Sequence, residues 1–152
     1  MAPYMPSTSP DRVADVGKIE WTLKNVSGGT VQRGDIVAMD FTTVDAQGRF
    51  TAFDDLSSAL APLVGIIGVV QEEIRNNQFG HILIQGFATH VRISGTINQG
   101  SNVGVPNTTN GIIPSSGSTG RKVVFFPSGS YTSGNTGRGF FDGWGGFGKD
   151  SI

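Results

Sequence analysis

Glycine restricts this chain more than any other feature: 23 of its 152 residues lack a Cβ, about twice the usual share of roughly 7%. In a helix interior each glycine costs about 1 kcal/mol relative to alanine, so the chain is expected to be built of short strands and turns. Its length is that of one domain, able to bury roughly 68–70% of the surface that the unfolded chain exposes. With no cysteine, it has neither a disulfide nor a thiolate to offer a metal or a substrate.

Alternation of apolar and polar residues carries the strand assignments. Ile19, Trp21 and Leu23 alternate with Glu20, Thr22 and Lys24, the period of a half-buried strand. Ser27-Gly28-Gly29 makes a turn. Arg33-Gly34-Asp35 reads as a second turn, feeding the apolar run Ile36–Met39. Its likeness to an integrin-binding tripeptide is explained by that turn chemistry. Residues 41–53 predict a hairpin turning at Ala46-Gln47-Gly48, with Phe41 and Val44 facing Phe50 and Phe53. Asp54–Ala61, stopped by Pro62, is the only segment that predicts a helix. Leu63–Val70 is continuously apolar and predicts a buried strand, and Phe79–Ile97 is the strongest β signal, with a bend or bulge at Gly86. Val103 and Val105, Ile112-Ile113 and Val123–Phe126 complete a set of seven to nine short strands, with a surface loop between them at 107–120.

The two ends differ from this body, expected over residues 17–127. Residues 1–16 carry Pro3, Pro6 and Pro10, each removing a backbone donor and fixing φ, and read as an extended arm. Residues 128–152 hold eight glycines together with Tyr131, Phe140, Phe141, Trp144 and Phe147. The expected class is therefore all-β: a small β-barrel or sandwich with an extended N-terminal arm and a Gly/aromatic-rich C-terminal tail. Ordering such a tail costs about 1–2 kcal/mol per residue, whereas each buried aromatic removes about 150–250 Å² from water. The five tail aromatics, with Tyr4 in the arm, are thus expected to be protein-binding anchors on a neighbouring subunit.

Signatures of chemistry are sparse. His81 and His90 are nine residues apart, which on a regular strand puts them on opposite faces and argues against a shared metal. The acid pairs Asp54-Asp55 and Glu72-Glu73 read as solvated, and neither a Gly-x-Ser-x-Gly elbow nor a P-loop occurs. Asn25-Val26-Ser27 and Asn107-Thr108-Thr109 fit the glycosylation sequon, but no secretion signal is visible and both are taken as coincidence. A net charge of -1 with 15% charged residues argues against nucleic acid or an anionic membrane as partner, and no stretch reaches the ~18 apolar residues of a transmembrane helix. The expectation is a non-enzymatic protein with no catalytic residues, no cofactor and no metal.

The order Arg33-Gly34-Asp35-Ile36-Val37, Gly65-Ile66-Ile67-Gly68-Val69-Val70, Gly80-His81-Ile82-Leu83-Ile84-Gln85-Gly86 and Ile97-Asn98-Gln99-Gly100-Ser101-Asn102-Val103 resembles the small β-barrel decoration (cement) proteins of tailed-bacteriophage capsids. The resemblance covers about residues 31–105 and carries no catalytic signature. It implies a virion location on the outer capsid (head) surface, self-association as a trimer or dimer, and the major capsid protein as the partner whose subunits are bridged against internal DNA pressure. Two other roles fit the same composition: a phage tail, neck or fibre component, and a small ligand-binding or enzymatic barrel with polar groups near His81, Arg92 and Glu73.

Overall fold

A computed structural model describes residues 18–56, 65–98, 103–106, 110–114, 122–127 and 130–144. They form nine strands and, among the described residues, no helix. In chain order these are β1 (Ile19–Asn25), β2 (Ile36–Met39), β3 (Ala52–Asp54), β4 (Ile67–Val70), β5 (Phe79–Arg92), β6 (Val103–Pro106), β7 (Ile112–Pro114), β8 (Val124–Phe125) and β9 (Thr136–Asp142). All belong to one mixed sheet in the order β1-β3-β2-β4-β5-β9-β8-β6-β7, and β1 also pairs with β5. That extra pairing closes the first five into a ring. The pair β1–β3 is parallel and every other strand pair is antiparallel.

Two apolar clusters explain why these sequences sit where they do. Leu23, Val37, Met39, Phe53, Val70, Ile82 and Ile84 form one, with one residue or more from each strand of the ring. The alternate residues Ile36, Ala38, Ile67, Val69 and Leu83 join the other, with Val124, Phe126 and Phe141 from the second half of the sheet. Strands β2 and β4 are thus covered on both faces, and all four residues of each are buried. Double coverage is why Ile36–Met39 and Ile67–Val70 read as unbroken apolar runs rather than as alternation.

Strand β5 joins the two halves. Its first half pairs with β1 and β4 and its second half with β9. Leu83, Ala88 and Val91 all enter the same cluster, although the steps of five and three between them are odd and a regular strand would put them on alternating faces. The register shifts opposite Ile19/Glu20 and again between Ala88 and Val91 account for this. Gly86 lies between the two shifts with φ 134, so the predicted irregularity is a pair of bulges bracketing the glycine.

The predicted turns are present. Gly34, at φ 93, donates its N–H to Val70 O at 2.8 Å, and Asp35 donates to Gln32 O at 3.0 Å. Asp35 is buried, and its carboxylate accepts the Gln32 N–H and an Arg92 N–H at 3.2 Å, so the tripeptide is an internal turn. Val44 bridges Phe50 in the 41–53 hairpin, as expected, but Phe53 leaves that pair and enters the core. Asn25 is wholly buried, donating to Gly29 O and Ile74 O, which uses the first sequon's amide for structure.

Two expectations need correction. Asp54 ends β3, paired with Ala38, and Leu56 is buried with its N–H given to Asn110 Oδ1. The start of the predicted helix is therefore extended chain, and its remainder lies outside the described residues. The body also does not end at residue 127: β9 lies between β5 and β8. Its burial alternates, with Gly137, Gly139 and Phe141 inward and Arg138 and Phe140 outward. The inward glycines hid this strand from a search for apolar alternation. The arm at 1–16 and residues 145–152 lie outside the described residues.

Gly143 stands where β4, β5 and β9 meet. It accepts the Ile67 N–H at 3.1 Å and donates to Ile84 O at 2.8 Å, and an added Cβ would overlap the Ile67 carbonyl. Gly143→Ala is expected to lower unfolding free energy by about 1–3 kcal/mol, whereas Gly29→Ala, which meets nothing within 4 Å, stays within about 0.5 kcal/mol; urea titration measures both. Deleting residues 128–152 removes β9 and leaves β5 and β8 without their common neighbour, so the truncated chain is expected to lose the dispersed amide NMR spectrum of a folded protein.

Candidate functional site

Two surfaces and one hydrogen-bonded acid–histidine pair gather the chemistry that the described residues expose. The first surface is a cleft of about 590 Å³ at one end of the ring. It exists because β1 and β3 pair only from Lys24↔Ala52 onward. Ahead of that point the two parallel segments stay unpaired, leaving Glu20–Leu23 on one side and Gly48–Thr51 on the other, with Asp45, Phe79 and Trp144 completing the wall. Three of the lining rings run in sequence, and Phe41, outside the lining, joins them through Phe50. Phe41 meets Phe50 edge-on at 5.1 Å, Phe50 lies 6.2 Å from Trp21, and Trp21 meets Trp144 edge-on at 5.8 Å. Phe41, Phe79 and Trp144 are more than half exposed. The Asp45–Arg49 turn forms the polar rim. The Asp45 carboxylate accepts the backbone N–H groups of Arg49 and Gln47 and the Arg49 Nε–H at 2.7 Å, and these bonds, the Arg49 backbone first, hold its pKa below the ordinary aspartate value.

The second surface is the outer face of β5, β9 and β8. Register places Phe87 opposite Phe140 and Phe140 opposite Phe125, a phenylalanine row across three strands. The Phe87 and Phe140 rings meet at 5.2 Å, and Phe125 and Phe140 are exposed. Exposed apolar rows of this kind mark interaction surfaces. Cations border it: Arg138 lies two residues before Phe140 on the same face of β9, and Arg33 reaches Thr89 Oγ1 at 3.5 Å. Burial, and then the charges of Arg33 and Arg138, hold the His90 pKa below its ordinary value.

The hydrogen-bonded pair joins Glu72 and His81. Glu72 Oε1 accepts the His81 backbone N–H at 2.9 Å and lies 2.7 Å from Nδ1, which lowers the Glu72 pKa. Both side chains are about half exposed, so the pair contributes little to stability. The expected grouping of His81 with Glu73 and Arg92 does not form: His81 pairs with Glu72 and Arg92 with Asp35. Among the described residues no three His, Asp or Glu side chains cluster to hold a metal.

The expected anchors divide. Phe140 and Trp144 are exposed, Tyr131 packs on Phe126 at 5.1 Å, and Phe141 is a core residue of this chain. Tyr4 and Phe147 lie outside the described residues. Phe141 fails as an anchor because its alternation partners are the inward glycines of β9.

No protein-family profile matches the chain, and no curated protein sequence matches it. Its fold has a counterpart among solved structures. The N base of head fiber gp8.5 of bacteriophage phi29 superposes with a TM-score of 0.52 at 9% identity, over 82% of this chain and 94% of that one. At that identity the two share a fold. Local pattern gives no sign of the cleft, because Trp21 and Phe50 meet only through the parallel pairing of β1 and β3 that begins beyond them at Lys24 and Ala52.

His90 ties the second surface to pH. Because its folded-state pKa lies below the ordinary 6.5, the folded protein binds that proton less readily than the unfolded chain. Its contribution is complete above the unfolded value and is lost as pH falls beneath it. The lowered carboxyls of Glu72 and Asp40, the latter held down first by the Thr42 and Thr43 hydroxyls, add a further loss in more acid solution. Melting temperature is therefore expected to start falling as pH drops through the ordinary histidine value of 6.5, and His90→Gln to flatten that part of the profile while leaving the acid limb, as read by calorimetry.

Proposed function

We propose that this chain is a structural protein of a bacteriophage virion that binds the outer surface of the head, with the major capsid protein as its partner, and bridges neighbouring capsid subunits as a decoration (cement) protein. The observation that supports this most is the fold it shares with a phage head-fiber base over 94% of that protein's chain. The β5–β9–β8 face supplies a physical means. Phe125 and Phe140 offer exposed ring surface, and Arg33 and Arg138 offer cations at its border, a combination of aromatic and arginine residues that is enriched at protein interfaces. Self-association as a dimer or trimer belongs to the same proposal, since a bridging protein gains affinity from engaging several capsid sites at once.

The neighbour being a fiber base favours a second reading, in which the chain is the capsid-bound foot of a longer appendage. Both readings need the head as the site of attachment. Co-sedimentation of the purified protein with phage heads lacking it measures attachment, and electron microscopy of the recovered particles locates it. Binding to the head, abolished or weakened at least about tenfold by Phe140→Ser or Arg138→Glu in proteins that still fold, is the expected outcome. Density on the tail or neck, or binding unchanged in both variants, contradicts it.

A further inference from the structure

We infer that the cleft between β1 and residues 48–51 is a binding site for a neutral oligosaccharide. This inference is independent of the capsid-binding face. Both tryptophans of the chain stand in the cleft, brought together from positions 21 and 144. Its apolar lining is aromatic (Trp21, Phe50, Phe79 and Trp144) apart from one aliphatic residue, Leu23, which is buried. Flat aromatic rings can stack on the apolar C–H faces of pyranose rings. At about 590 Å³ the cleft falls within the ~300–1,000 Å³ of ordinary ligand sites.

The rim supplies the polar half of the recognition. Among the described residues, Trp21 Nε1–H and Thr22 Oγ1 make no hydrogen bond within the protein, and the Arg49 guanidinium spends Nε on Asp45 and one terminal nitrogen on Gln47, leaving the other open. Lys24 N–H already donates to Thr51 O. By strand alternation the backbone N–H and C=O of Thr22 face the same edge, where β3 does not reach. Donors and acceptors are therefore interleaved, the arrangement that hydroxyl groups, each both donor and acceptor, can satisfy. Charge is balanced: Asp45 is paired with Arg49 and Glu20 with Lys18 at 3.3 Å, which disfavours a charged ligand. An added peptide strand is disfavoured too, because the open edge of β1 is bounded by the Lys24 pairing at one end and by the bulge opposite Ile19/Glu20 at the other.

Because the chain has only these two tryptophans, intrinsic fluorescence reports on the cleft directly. The full-length protein is titrated with glucose, galactose, mannose, rhamnose, N-acetylglucosamine and short oligomers of each, and saturation-transfer NMR is recorded on the same samples. A saturable fluorescence change and NMR transfer with one or more of these sugars is expected. Trp144→Ala and Phe79→Ala, both at exposed positions, should weaken binding about tenfold or more, while Arg75→Ala, exposed and outside the cleft, leaves it unchanged. Circular dichroism and melting temperature verify that each variant is folded. No response to any sugar of the set, or a response that survives both cleft substitutions, overturns the inference.

Discussion

Strand β5 has to serve two sets of partners along one continuous run of backbone. Its first half closes a five-stranded ring through β1 and β4, and its second half supports β9 and, through it, β8, β6 and β7. Both halves must place apolar side chains in a core, but the two cores lie on different sides. A regular strand cannot meet that demand, because its side chains alternate strictly. The two register shifts around Gly86 solve the geometry by inserting residues that reset the alternation. Gly143 has a related role, since only a residue without a Cβ lets β9 end against the Ile67 carbonyl.

The same construction produces the exposed surfaces. Where β1 and β3 part ahead of Lys24, the ring leaves a cleft and its side chains line the opening. Where β9 lies between β5 and β8, inward glycines on β9 let the strands approach closely, and their outward neighbours stack as a phenylalanine row. Trp21 and Phe50 help cover the ring's core, whereas Phe79, Phe125, Phe140 and Trp144 stay exposed. Exposing so much ring area to water costs solubility, which makes both surfaces informative about partners. The two differ in chemistry: one is a concave site with balanced charge, the other an open face bordered by arginines.

Much of the fold was legible in local pattern. Alternation located β1 and most of β5, apolar runs located β2 and β4, and turn chemistry located Gly34 and the Asp45–Arg49 reversal. Local pattern misled in two places. Asp54-Asp55 before Leu56 looks like a helix cap, but Leu56 is drawn into the core and its N–H is taken by Asn110, fifty-four residues away. The glycine-rich stretch before Trp144 looks unable to order itself, and alone it would be; it becomes a strand because β5 and β8 supply partners on either edge.

The sequence alone therefore determined the class of structure, since dense glycine excludes long helices and period-two alternation selects strands, and it determined that aromatic residues are concentrated toward the C-terminus. Tertiary structure decided which of those aromatics are core and which are surface, because on a strand that choice depends on register, and register is set by partners far along the chain. It also decided that Trp21 and Trp144 share one cleft, since their meeting depends on how the closed ring and β9 are joined through β5, a long-range pairing to which neither residue's neighbours in sequence contribute any signal.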